Sequence, residues 1–138
     1  DKFPKIFFSL TYAGETLSLA AAKAVLTIYK NFDVPNFFET QGKKLKDGLS
    51  KLINDFDLQE RMNVYGANCR FGVNFNKENI VKYDSTEDMK HWITLTSRHG
   101  ILNSGMHLLS LAHNDDIISE TLKKYKRLMP ELRKILLN

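Results

Sequence analysis

The chain has 138 residues, of which 43% are hydrophobic and 26% are charged, an ordinary composition for one globular domain. No apolar run approaches the roughly 20 residues that a membrane span needs, and the first residues lack the apolar core of a secretory signal. The net charge is only +4, with lysines spread along helix faces, so we expect neither a membrane nor nucleic acid as a partner. A single cysteine, Cys69, excludes an internal disulfide and fits a cytoplasmic protein.

Residues 7–22 join a segment rich in hydroxyl groups to an alanine-rich helix. Residues 1–14 have no helical period and are expected to be extended. Gly14 permits a sharp bend, and the free N–H groups at the following helix start would suit an anion, with Ser9, Thr11 and Thr16 as nearby hydroxyl donors. A polar helix start without a ligand is the open alternative.

Apolar residues at intervals of three or four predict a helix over residues 15–32, with Leu19, Ala22, Leu26 and Tyr29 as its buried stripe. The sequence Asp-Val-Pro at 33–35 interrupts this helix, because proline fixes its backbone and suits a first helical turn. A second amphipathic helix is therefore predicted over residues 35–56.

The period changes to two over residues 61–65 and 70–75, which predicts two antiparallel strands joined by a turn. A short third strand is expected at Ile80 and Val81, and one interrupted strand or two short strands over 101–112. A capping box at Ser85 predicts a helix that runs to about residue 99 and stops at Gly100. Asn114 should cap the final helix, and Pro130 should end or kink it. The expected fold class is α+β, a short antiparallel sheet covered by helices.

Two motifs in this sequence resemble the class III aminotransferases that use pyridoxal 5'-phosphate, in particular the glutamate-1-semialdehyde 2,1-aminomutase branch. The first runs from Thr11 through Gly14 into the alanine- and leucine-rich stretch 17–22. The second is Gly100 with an apolar stretch, then Ser-Leu-Ala-His at 110–113, acidic residues and a final helix. A weaker match covers residues 35–56. Together the matches span most of residues 7–126.

The resemblance implies the C-terminal portion of a fold type I transferase. Residues 1–14 would belong to the large domain, 15–32 would form the connecting helix, and 33–138 would form the small C-terminal domain. In this family the threonine matched by Thr11 binds the phosphate of the cofactor in the neighbouring subunit of a homodimer, and Gly14 belongs to the same site. The implied partners are the rest of the parent chain, a second subunit and a small amino or carbonyl substrate.

The resemblance assigns no catalytic residue to this chain. The family's Schiff-base lysine lies upstream of the matched threonine, so the full-length parent would be an aminotransferase or aminomutase and this portion alone would be inactive. Two departures from the aminomutases are Glu15-Thr16, where they have Asn-Pro, and a shorter stretch between Gly100 and Ser110. Transfer between two substrates and internal exchange therefore both stay open.

The four histidines invite a metal-site hypothesis, but none of them has a ligand-like spacing, and no metal is expected. His113 matches the motif histidine and should form hydrogen bonds around the start of the final helix. His107 could reach the mouth of an active site. The competing hypothesis is a stand-alone helical protein-interaction module without catalytic activity. A free-standing hydrolase is disfavoured because no nucleophile motif is present.

Overall fold

A computed structural model of the chain describes residues 14–75 and 87–137, and these form four helices and a three-stranded antiparallel sheet. Thr11, the strand predicted at Ile80 and Val81, and the Ser85 cap lie outside these residues. The predicted α+β class is confirmed. The elements in chain order are α1 (Thr16–Asn31), α2 (Val34–Asp55), β1 (Asn63–Ala67), β2 (Arg70–Asn74), α3 (Glu87–Arg98), β3 (Met106–Leu108) and α4 (Asp115–Leu137).

The chain divides into two compact units between Val34 and Pro35, and α1 is the described helix of the first unit. It matches the helix predicted over 15–32, but every residue of it is exposed, so the expected buried stripe is wrong. Leu17 and Leu26 are 77% and 69% exposed. Among the described residues, no helix combines the length and apolarity that crossing a membrane requires.

The second unit has one hydrophobic core, to which α2, α3, α4 and the sheet all contribute. Leu49 of α2, Phe71 of β2, Trp92 of α3 and Tyr125 of α4 are fully buried there. The helix predicted over 35–56 forms as α2. Its glycines, Gly42 and Gly48, allow other parts of the chain to pack closely against the helix. A Cβ at Gly42 would collide with the backbone carbonyl of Asn68. The sequence pattern could not show this contact, because it joins residues far apart in the chain.

The sheet has the order β1-β2-β3, with β2 at its centre. Strands β1 and β2 pair as an antiparallel hairpin in which Val64 lies opposite Val73, which confirms the two strands predicted from the period of two. Strand β3 pairs with β2 and places His107 opposite Phe71. A single short strand therefore forms within the stretch 101–112.

Helix α3 ends at Arg98, and Gly100 lies just beyond its end, close to where the sequence predicts the stop. This glycine has a φ of +73°, the left-handed conformation that favours glycine at a helix end. The N–H of Gly100 donates to the carbonyl of Ser97, and the N–H of Ile101 donates to the carbonyl of Thr96 at 2.8 Å. These two bonds satisfy carbonyl groups that the last helical turn leaves free.

Helix α4 begins where predicted, since the Asn114 side chain accepts a hydrogen bond from the N–H of Ile117 at 3.1 Å. Of the two outcomes expected at Pro130, an end of the helix is wrong, because α4 continues through Pro130 to Leu137, and a kink stays a prediction. A proline inside a helix costs about 3 kcal/mol. Burial of Leu132 and Leu136 beyond it offsets this cost, since a fully buried leucine contributes roughly 2 kcal/mol.

Candidate functional site

The start of α1 is closed by the side chain of Glu15. Its two carboxylate oxygens accept hydrogen bonds from the N–H groups of Leu17, at 2.8 Å, and Ser18. The side chain and N–H of Ser18, together with the N–H of Leu17, lower the pKa of the Glu15 carboxyl. Negative charge is favoured here because the helix start carries a partial positive charge. The chain therefore supplies its own anion to this helix end.

Part of the anion site expected at the start of α1 is bound by Glu15. A helix start leaves four N–H groups without helical partners, and Glu15 binds two of them. A phosphate at the same place would also meet the negative charge of Glu15, which repels it. Glu15 therefore competes with a phosphate for the first turn of α1, and the binding of the cofactor phosphate near this turn stays a prediction.

The roles of Thr11 and Gly14 in cofactor binding, which the family resemblance implies, both stay predictions. Gly14 is exposed, and no atom of residues 14–75 or 87–137 lies within 4 Å of where its Cβ would stand. Thr11 lies outside the described residues, and its contact with the phosphate stays a prediction.

The second motif forms the turn between β3 and α4. The Nδ1 atom of His113 accepts a hydrogen bond from the N–H of Ser110 at 2.8 Å, and the Ser110 hydroxyl lies 3.2 Å from the same nitrogen. The N–H of His113 donates in return to the carbonyl of Ser110 at 3.0 Å. Asn114 follows directly and caps α4. His113 therefore orders the turn that starts the final helix, in agreement with its predicted structural role.

Four rings in the core of the second unit join β2, β3, α4 and α3 as two stacked pairs that a hydrogen bond connects. The His107 ring lies on Phe71 with centroids 4.5 Å apart and planes 5° from parallel. Its Nε2 atom shares a hydrogen bond with the Tyr125 hydroxyl. Tyr125 in turn lies on Trp92 with centroids 5.2 Å apart and planes 10° from parallel. This arrangement fixes β3 and α4 to each other through one buried polar contact.

Burial controls the protonation of this pair. It lowers the pKa of His107 to about 4, an effect that a polar contact with the Phe71 backbone opposes only in part. It also raises the pKa of the Tyr125 phenol. Both groups are therefore neutral near pH 7. His107 is only 8% exposed and packs in the core, and its place at the mouth of an active site stays a prediction.

A cavity of about 140 Å³ adjoins the His107–Tyr125 pair. Its walls are mainly apolar, and its polar side chains come from β3, α4 and the loops beside them: Asn103, His107, His113, Thr121 and Tyr125. The hydroxyl of Tyr125 is already bound by His107. No nucleophilic side chain in this set is paired with a base that is free to activate it. We therefore assign no catalytic role to the cavity.

The remaining chemistry-bearing side chains form no centre in the part of the chain that the structure describes. No group of three histidine, cysteine, aspartate or glutamate side chains within residues 14–75 and 87–137 is placed to hold a metal ion. Cys69 lies in the turn between β1 and β2 and is exposed with a free thiol. The sequence analysis missed Tyr125 as a polar partner. Its signal was a tyrosine on a buried helix stripe, since a buried phenol hydroxyl needs a hydrogen-bond partner.

No family model matches the chain.

Proposed function

We propose that this chain is the C-terminal portion of a pyridoxal-phosphate-dependent aminotransferase or aminomutase of class III. In this proposal α1 is the connecting helix, and the second unit is the small C-terminal domain of a fold type I transferase. The parent assembles as a homodimer and acts on a small amino or carbonyl compound. Support comes from the two motifs, which occur in the family's order with an α+β domain between them.

The observation that carries the proposal is the way the second motif folds. Its residues form one local unit, in which the end of β3, the Ser110–His113 turn and the Asn114 cap lead directly into α4. If the motif matched the family only by chance, its serine and histidine would not need to form hydrogen bonds with each other. The motif therefore has a physical reason for its residue types, and that reason suits the closing element of a small domain.

Thr11 is the residue that would bind the cofactor. Its hydroxyl would donate to the phosphate of the cofactor held by the partner subunit, and the first turn of α1 would stay bound to Glu15 rather than to the phosphate. When bound, pyridoxal 5'-phosphate supplies the electron-accepting ring that moves an amino group. The chain's own share is to position that group and to cover one wall of the substrate entrance.

The test is to express the longest reading frame that contains this chain. We expect a dimer that purifies with about one pyridoxal phosphate per subunit, attached to a lysine upstream of residue 1, and that transfers an amino group from at least one member of an amino-donor panel. The 138-residue chain, treated with the cofactor and then a reductant, should show no stoichiometric label on any one lysine. A cofactor-free parent, or a single stoichiometrically labelled lysine among the 138 residues, would contradict the proposal.

The alternative is a stand-alone interaction module, and one observation favours it. Helix α1 exposes large apolar side chains such as Leu17, Leu26 and Tyr29, and such surfaces commonly bind other proteins. The same exposure is expected when a connecting helix is taken without its large domain. A reading frame that starts close to Asp1 would favour the module, whereas roughly 300 further residues upstream would favour the enzyme.

A further inference from the structure

A groove of about 480 Å³ lies between α2 and α4 in the second unit, away from the residues assigned to the cofactor. Its floor is formed by Leu52, Ile118 and Leu122, where Leu122 packs against Gly48. The lining residues of α2 run from Lys44 to Asp55 at helical spacing. At 1.5 Å per residue they extend about 16 Å, or about three helical turns.

The rim of this groove carries excess positive charge. Lys51, Lys123 and Lys126 are exposed along it, and none of them forms an ion pair with any described residue. At one end Lys44 is neutralised by Asp115. Asp55 is then the single acid left on the lining, so three cations face one anion. Lysine stems also extend the apolar floor, because their methylene groups pack on apolar surface while the charge stays in water.

We propose that this groove docks an acidic amphipathic helix of a partner protein. Two helices that flank an apolar floor offer the surface on which such a helix lays its apolar face, and the groove length suits about three turns of it. Glutamate and aspartate on the flanks of the partner helix would meet Lys51, Lys123 and Lys126. These charges select the partner and speed its approach, and the floor supplies the burial.

Charge also argues against a second copy of this chain as the occupant. Its exposed apolar helix, α1, carries Lys23 and Lys30 and has no acidic residue between Thr16 and Asn31. Seated in the groove, it would bring lysines against lysines. Because α1 does not complement the rim, we assign the groove to a different protein, and the docking site goes beyond the proposed aminotransferase activity and does not depend on it.

The test uses the 138-residue chain, labelled with nitrogen-15, and a synthetic peptide of about four helical turns. The peptide has leucines three and four residues apart, glutamates on both sides of that stripe and alanine elsewhere. We expect its titration to shift the amide signals of Gly48, Ser119 and Lys123. A peptide of the same composition with its leucines scattered should bind at least about tenfold more weakly, because it lacks the apolar face.

Charge reversal on the rim supplies a matched pair of variants. Lys123→Glu with Lys126→Glu should weaken the peptide's binding by about tenfold and reduce its salt dependence. Arg127→Glu with Lys134→Glu reverses two exposed α4 charges outside the groove lining and should leave binding within about twofold. Equal effects of the two changes, equal binding of the scattered peptide, or shifts confined to α1 would overturn the proposal. Groove shifts that appear on raising the concentration of the chain alone would also overturn it, in favour of a second copy.

Discussion

His107 is neutral because the fold surrounds it with rings and leaves it little contact with water. Phe71 from β2 lies on one face of its imidazole, and Tyr125 from α4 binds its Nε2 atom. A charged imidazole in this place would lose hydration without gaining an anionic partner. The pKa of about 4 therefore reports how strongly the fold requires the neutral ring.

This requirement predicts an acid-sensitive stability. The pKa of His107 is lower in the folded chain than the ordinary 6.5, so the unfolded chain binds the proton first. The free energy of unfolding is fully maintained above pH 6.5 and should fall as the pH drops toward 4. The loss is about 3 kcal/mol, because one pKa unit corresponds to about 1.4 kcal/mol.

Urea unfolding at several pH values measures this effect against His107→Gln, which keeps a side chain able to form hydrogen bonds but cannot titrate. The variant will be less stable at pH 8, so the informative quantity is the slope between pH 6.5 and 4. The slope should be shallower in the variant. Parallel slopes would show that His107 does not carry the acid sensitivity.

Two glycines of α2 differ in what surrounds them, and alanine at each should behave differently. At Gly42 a methyl group would collide with the backbone of Asn68, which the β1–β2 hairpin holds in place. At Gly48 it would meet the side chain of Leu122 at 2.6 Å, and that side chain can move. Alanine also favours a helix over glycine by about 1 kcal/mol.

Gly42→Ala should therefore lower the free energy of unfolding by about 1 to 3 kcal/mol, the usual cost of forcing extra atoms into a packed site. Gly48→Ala should change it by less than about 1 kcal/mol, since the helix gain offsets the crowding. Denaturant midpoints of the two variants test the difference. Equal destabilisation would mean that the contact with Asn68 is not rigid.

Among the elements, α1 differs from the rest because its apolar side chains remain exposed in the described chain. The helix carries alanine, leucine and tyrosine side chains on most sides, and none of its residues is buried. A helix that is apolar on most sides is normally covered by protein. In the proposed parent the large domain or the partner subunit would cover it.

The isolated chain should therefore self-associate through α1. Leu17→Glu with Leu26→Glu should shift its sedimentation toward monomer, because the two changes add charge to exposed apolar surface. Leu102→Glu is the control, since Leu102 is 95% exposed and lies outside α1, in the loop after α3. The same shift in the control variant, or a wild-type chain that is monomeric at every concentration, would contradict this use of α1.

Local signals predicted most of the elements correctly. Pro35 and the helical spacing of the apolar residues after it predicted α2, and the period of two predicted β1 and β2. The backbone preference of Gly100 and the side chain of Asn114 predicted two helix ends. The failures occurred where distant contacts decide. The periodicity of α1 indicated an apolar face, but it could not show whether another element packs on that face. Helix α4 continues past Pro130 because Leu132 and Leu136 are buried.

The candidate site was less predictable than the fold. Glycine and hydroxyl groups before a helix suggest an anion site, but Glu15 satisfies the same donors from within the chain. An acidic residue at a helix start was the available signal, since such residues favour capping. The surroundings of His107 were not predicted, because the sequence left open whether its stretch forms one strand or two. In the structure His107 lies in the single strand β3, and its imidazole ring contacts Tyr125.

At the scale of the whole molecule, the two units differ in how far their apolar side chains are buried. The second unit has a buried core, a hydrogen-bonded end of α3 and start of α4, and two stacked ring pairs joined by a hydrogen bond. The first unit contains an exposed apolar helix. This asymmetry fits a folded small domain that is attached to a segment whose contacts lie in a larger protein, which is how the proposed parent would use them.

The most direct test of this account is cofactor retention by the full-length parent with Thr11→Val. Thr27→Val is the matched control, because its hydroxyl donates to the Lys23 carbonyl within α1 and has no assigned cofactor role. Thr11→Val should weaken pyridoxal phosphate binding by about 1 to 2 kcal/mol, the contribution of a hydrogen bond to a charged group, and Thr27→Val should not weaken it. Unchanged affinity in the Thr11 variant, or an equal loss in both, would contradict the assignment of this chain to the cofactor site.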